Sequence, residues 1–328
     1  MRLAAARIPR RLEPGDLLQR FGLVIAWLIV IAVFGALKPD VFLTQANFST
    51  IFGSQAVIVI LTLGLLIPLT AGDYDLSIAG VLSVAAMIVA VLNAKHGVPI
   101  GLAILAALAA GLLVGIINGA FVMLFAIDPF IVTLGTGTIL TGVVLWLSDS
   151  ATISGVSDTL VDAVITNRLL GIPLDFWYGL LLCGAIFYLF EFTALGRRLL
   201  FVGRGRRVAA LSGFDVRRLR WGALIASGGI AALAGVVYAG TTGGADPTSG
   251  ASFLLPAFAA AFLGATGIVP GRFNPWGSVV AVYFLVTGIT GLTILGVASY
   301  VQDIFYGSAL VLAVALSQLS RRRELAEA

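Results

Sequence analysis

The stretch "GRRLLFVGRGRRVAALSGFDVRRLRW" runs from 196 to 221 and carries eight arginines against one acid, Asp215. Apolar runs flank it, 176–195 before and 221–241 after, each about as long as a membrane span, which needs roughly 20 apolar residues. Working outward from this pair, similar runs bounded by turn residues recur near 21–37, 51–70, 76–92, 99–125, 130–147, 253–270, 277–295 and 300–318. Composition agrees: of 328 residues, 59% are hydrophobic and 11% charged, against about 25% charged in a soluble domain. The fold class expected is all-α: a polytopic membrane protein of about ten transmembrane helices.

Charge placement orients the chain. With the N-terminus in the cytoplasm and ten spans, 17 of the 20 basic residues fall on the inner side. Only Lys38, Lys95 and Arg168 lie outside it, which is the asymmetry that the positive-inside rule requires. The expected divisions are a basic cytoplasmic N-terminus at 1–20, a membrane domain at 21–318 with its inner loop at 196–220, and a cytoplasmic tail at 319–328. The first run is read as an uncleaved span rather than a signal peptide, because it is long and many spans follow. Trp146, Trp177 and Tyr300 fall at outer ends, and Trp221 and Trp276 at inner ends, as interfacial aromatics do. Five spans per half give two inverted halves. The outer loop 241–250 then corresponds to the inner loop 71–80; both are rich in Gly, Asp and Ser, without a residue-by-residue match. The fourth run stays uncharged for about 30 residues, so it must tilt, break or protrude. Within it Gly111, Gly115 and Gly119 share a helix face that suits close helix packing.

Several chemistries are absent. The only lysines, Lys38 and Lys95, do not sit in a phosphate-binding G-x-x-x-x-G-K-[ST] loop. A single histidine, His96, and a single cysteine, Cys183, leave no set of ligands for a metal. No G-x-S-x-G elbow occurs, so an enzyme is not expected. The span interiors hold essentially no ionisable residue of the kind that ion-coupled carriers use; Glu191 is placed at a span end, and Asp73 and Asp75 between spans. A channel or facilitator fits this pattern, and so does a permease subunit driven by a separate ATPase. A structural subunit holding anionic lipid is a third reading.

Four stretches separate these options: "TAGDYDLSIAGVLS" (70–83), "NGAFVMLFAIDPFIVTLGTGTILTG" (118–142), "GR" at 196–197 with "VAALSGFDVRR" (208–218), and "AAAFLGATGIVPGRFNPWGS" (259–278) followed by "GLTILGVASYVQDIFYGSALVLAVAL" (291–316). Together, and in this order, they resemble the ribose-type sugar permeases of ABC importers over roughly residues 45–318. The resemblance implies a bacterial inner-membrane permease that works as a homo- or heterodimer. A cytoplasmic ABC ATPase binds ATP-Mg and powers it, and a periplasmic binding protein delivers a sugar or related polar solute. No cofactor is expected on this chain and no nucleic acid among its partners; membrane lipid is. The related branched-chain amino acid permeases are similar in outline. Departures exist: Ala265, Pro270 and Phe273 stand where the family usually has glycine, Leu254 and Pro256 where acids often precede, and Gly205 and Arg207 in place of the usual Asn and Glu.

The arginine-rich loop then has a reading beyond its sidedness. Its apolar middle, "VAALSGF" (208–214), suits a short amphipathic helix under the membrane. In the family this is the coupling helix, seated in a groove of the ATPase; its expected residues are Gly203, Arg204, Arg206, Arg207, Val208, Ala209, Leu211, Ser212 and Gly213. Asp73, Asp75 and Ser77 are candidates for capping the third span or for gating. Asp128 and Pro129 suit a helix start. Asn118, Thr133 and Thr136, with Thr138 and Thr141, offer neutral polar groups, either bonded within and between helices or lining a path for a neutral solute.

Overall fold

The computed structural model describes residues 14–326; the arginines at 2, 7, 10 and 11 lie outside the described residues. Its helices in chain order are α1 (Pro14–Leu37), α2 (Pro39–Phe42), α3 (Gln45–Ser54), α4 (Ala56–Thr70), α5 (Ile78–Ala90), α6 (Ile100–Leu124), α7 (Pro129–Leu147), α8 (Asp158–Val161), α9 (Leu174–Phe192), α10 (Ala194–Arg204), α11 (Arg206–Leu211), α12 (Val216–Thr242), α13 (Ala251–Gly264), α14 (Pro275–Ile294) and α15 (Tyr300–Ala326). Four two-residue strands form two antiparallel pairs: β1 (Ile153–Ser154) with β4 (Gly244–Ala245), and β2 (Arg168–Leu169) with β3 (Ile172–Pro173). The protein is therefore all-α and polytopic. Among the described residues eight helices are long and apolar enough to cross a membrane, with α3 and α4 counted as one and α5 continued to Lys95 by a π-helical turn; α13 and the apolar part of α15 are shorter.

The core forms around α4. Every one of its residues is buried, as a helix that is apolar on all sides requires. The fourth expected run is one unbroken helix of 25 residues, α6, about 37 Å long at 1.5 Å per residue. It lies against α12 at backbone distance. A Cβ on Gly111 would sit 2.5 Å from the Gly228 carbonyl oxygen, and one on Gly115 2.6 Å from that of Leu224. The glycine face read from the sequence is thus a helix-packing seam. One expectation needs correcting: the span interiors are not free of acids. Asp175 lies in the first turn of α9, fully buried. The helix begins at Leu174, two residues before the apolar run at 176–195, and so takes in Asp175. Glu191, near the other end of α9, pairs with Arg272 at 3.2 Å.

Two helices start deep in the bundle. The segment after α12 turns at Gly243 and brings Gly250 against the first turns of α5, where a Cβ would lie 2.8 Å from the Ala79 carbonyl oxygen. The start of α13 therefore meets the start of α5. The first of these helices is entered from the end of the bundle where α12 finishes. The second is entered from the arginine-rich end, where α12 begins.

Candidate functional site

The loop between α4 and α5, residues 71–77, is the centre of the arginine-rich end. It opens with a tight helix stop. Gly72 takes a left-handed φ of 80°, its N–H donates to Leu69 O (3.0 Å), and the Asp73 N–H donates to Pro68 O (2.9 Å). This is the glycine-terminated C-cap that satisfies the last free carbonyls of a helix. It pins Asp73 directly under α4.

The Asp73 carboxylate meets two arginines from different elements. Arg220, in the second turn of α12, donates from Nε to Oδ2 and from Nη2 to Oδ1, each at 2.7 Å. Arg206, the first residue of α11, donates from Nη2 to the same Oδ1 at 2.7 Å and to Gly72 O at 2.7 Å. The Asp73 side chain is 0% exposed, Arg220 13% and Arg206 46%. A two-pronged guanidinium fork on a buried carboxylate is geometrically specific. It joins α11, α12 and the 71–77 loop at one atom pair.

Two residues on, a second network begins. Asp75 Oδ1 accepts the Ser77 N–H (3.0 Å) and the Ser77 hydroxyl. Asn118 of α6 donates from Nδ2 to Ser77 Oγ (2.9 Å), and Thr136 of α7 donates to Asn118 Oδ1 (2.7 Å). Thr133 accepts the Leu76 N–H at 3.0 Å and faces the Tyr74 and Pro129 carbonyls. Asp75, Ser77, Asn118 and Thr133 are buried. Burial pushes the Asp75 carboxyl above the ordinary range, while the bonds from Ser77 pull the other way. The structure thus brings Asp75 and Ser77 together with Asn118, Thr133 and Thr136, which the sequence could only place in two separate groups. Ser77 immediately precedes α5 but does not cap it with its side chain. Asp128 does cap α7, accepting the Phe130 N–H at 2.9 Å, with Pro129 at the first position.

Beyond Asp73 the arginine-rich segment folds as a helical hairpin, α10 and α11. A Cβ on Gly203 would run into the Thr70 carbonyl oxygen, so α10 sits directly on the end of α4. Of the expected coupling residues, Gly203 and Ala209 face inward and Arg206 is held by Asp73. Arg204, Arg207, Val208, Leu211, Ser212 and Gly213 form the exposed side. Leu211 is 83% exposed and Val208 58%, a high exposure for apolar side chains on so short a helix. Phe214 turns back instead, packing edge-on to Phe201 under the Arg198 guanidinium.

Arg220 was missed by sequence reading, although a signal for it existed. It stands four residues before Leu224 and three before Ala223, in register with the buried stripe that continues through Ser227, Gly228 and Ala231. Arg217 and Arg218 lie off that stripe. Among the described residues no group of three or more His, Cys, Asp or Glu side chains is placed to hold a metal ion.

Residues 47–314 match the family described as branched-chain amino acid transport system / permease component. The chain belongs to that family. It is 32% identical over 300 residues to the D-allose transport system permease protein AlsC of Escherichia coli K12, covering 92% of each chain. It is 30% identical over 295 residues to the ribose import permease protein RbsC of Haemophilus influenzae, covering 89% of this chain and 90% of that one. With the autoinducer 2 import system permease protein LsrD of Escherichia coli SMS-3-5 it shares 31% identity over 317 residues, covering 93% and 94%. No solved structure is a significant match.

Proposed function

We propose that this chain is the permease subunit of a bacterial ABC importer for a neutral sugar or polyol. The solute is delivered by a periplasmic binding protein, and ATP-Mg is hydrolysed on a separate ATPase rather than on this chain. Two permease chains form the membrane unit in the inner membrane, with the arginine-rich end and both termini in the cytoplasm. The observation that carries this reading is the Asp73 junction. A surface helix with bare apolar side chains, α11, is tied by its first residue to a buried loop at the centre of the bundle. The relatives' names support the solute class: those proteins serve allose, ribose and autoinducer 2 systems.

The geometry supports a coupling route. The ATPase grips α11 through Val208 and Leu211. Movement of α11 carries Arg206, and Arg206 carries the Asp73 carboxylate and the Gly72 carbonyl. The 71–77 loop then moves as a unit, because Asp75 and Ser77 are bonded within it and Ser77 and Leu76 are bonded to Asn118 and Thr133. Seating of α10 on the Thr70 carbonyl prevents the stroke from being lost in sliding. Asn118, Thr133 and Thr136 offer a neutral solute amide and hydroxyl groups, which it can pass without leaving a charge of its own unpaired.

The test is uptake in proteoliposomes that contain the permease, its ATPase and its binding protein. Leu211→Asp should abolish ATP-dependent uptake and ATPase association while the permease still inserts and elutes as a folded protein. Normal association and uptake in this variant would remove α11 from the coupling role. Solute flux through the permease alone, without ATP, would favour a facilitator.

A further inference from the structure

Beside the Asp73 junction lies a cleft of about 440 Å³ between the end of α6, the α6–α7 turn, and the starts of α11 and α12. One wall is apolar, with Val122, Met123 and Ile127; the other carries Arg206, Arg217 and Arg220. We propose that this cleft binds the phosphodiester headgroup of an anionic phospholipid from the leaflet at the arginine-rich end.

Charge supports this occupant. Arg206 and Arg220 are both turned to Asp73, and Asp128, at the rim, spends Oδ1 on capping α7. Three guanidiniums against two carboxylates leave one positive charge. That is the complement of a phosphodiester, which carries one negative charge. Arg217 is exposed and makes no ion pair among the described residues. Shape supports it as well. A free phosphate has no use for the apolar wall, whereas the glycerol and first acyl carbons of a lipid lie naturally along Val122, Met123 and Ile127. Arginines at the ends of membrane helices sit at headgroup depth and attract anionic lipid. The lipid phosphate would touch the same guanidiniums that hold Asp73, so leaflet composition would bias the junction.

The readout is bound lipid, so the result stands apart from the transport reading. The purified full chain in detergent is incubated with phosphatidylglycerol or phosphatidylcholine and examined by native mass spectrometry. Retention of about one phosphatidylglycerol per chain, with phosphatidylcholine lost, is expected. Arg217→Glu should lower that retention about tenfold, and Met123→Glu, on the opposite wall, should lower it too. Millimolar inorganic phosphate should not displace the lipid. Equal retention of the two lipids, or equal retention by wild type and both variants, would overturn the proposal. Displacement by inorganic phosphate would overturn it in favour of a free anion.

Discussion

Two aspartates, one in each of the loops that lead into α5 and α13, hold the same local bond pattern. Asp75 Oδ1 accepts the N–H and the hydroxyl of Ser77. Asp246 Oδ1 accepts the N–H (2.8 Å) and the hydroxyl (2.7 Å) of Thr248. Their surroundings differ. Asp75 is 1% exposed, and burial drives its carboxyl up. Asp246 stands near solvent, and the hydroxyls of Thr248 and Thr152 hold its carboxyl below the ordinary range. Equivalent hydrogen bonds thus accompany opposite shifts, because desolvation outweighs them at one site and is minor at the other. The difference marks the loops by consequence. The 71–77 loop is wired through Asn118, Thr136 and two arginines into three helices and α11. Among the described residues the Asp246 carboxylate bonds only Thr152, beside β1, and Thr248 and Ser249 of its own loop.

The largest effect expected from this contrast lies at Asp73. Asp73→Ala leaves Arg206 and Arg220 facing one another with no counter-charge, at a cost of about 3 kcal/mol. Arg206→Ala should cost far less, about 1 kcal/mol or below, because Arg206 is half-exposed and Arg220 keeps its fork. Thermal unfolding of the purified variants checks the order. In the Asp73→Ala background, Arg220→Ala should cost little or become stabilising, giving a large coupling energy in the double-mutant cycle. Additive effects would show that the junction is not a unit.

How much of this was legible in advance follows from the same residues. Hydropathy and arginine placement predict the run of spans, because lipid demands long apolar helices and charges cluster at their ends. The glycine face of α6 was legible, since spacing alone puts Gly111, Gly115 and Gly119 on one side. The junction was not. Eight arginines stand within 26 residues, and composition cannot say which of them finds Asp73. That depends on α11 and α12 meeting below α4. Nor could spacing join Ser77 to Asn118 across 41 positions. Arg220 alone carried a readable hint, through its register with the buried stripe of α12.

A middle-sized effect is expected at Asp75. A carboxyl raised in the folded state is neutral below its ordinary value of 3.8 at no cost. It lowers stability progressively as pH rises from there through the raised folded value. Asp75→Asn keeps an acceptor for Ser77 and removes the charge. The variant should therefore unfold at a higher temperature than wild type at pH 7, and the gain should vanish on acidification. A variant less stable than wild type at pH 7 would mean that the ionised carboxylate is needed where it stands.

The smallest effect belongs to Asp246, and its sign is opposite. A carboxyl depressed in the folded state adds stability that is fully present above the ordinary value of 3.8. That stability is lost as pH falls through the folded value. Asp246→Asn should therefore lower the unfolding temperature at pH 7 and converge on wild type in strong acid. The shift should be about 2 °C or less, because solvent screens the site and only a loop is stapled. Transport should be nearly unchanged if the 243–250 loop is held mainly by Gly250 against α5 and by the pairing of β1 with β4. A loss of uptake comparable to that of Asp73→Ala would erase the contrast between the two loops. It would make the end distal to the arginines an equal partner in the transport cycle.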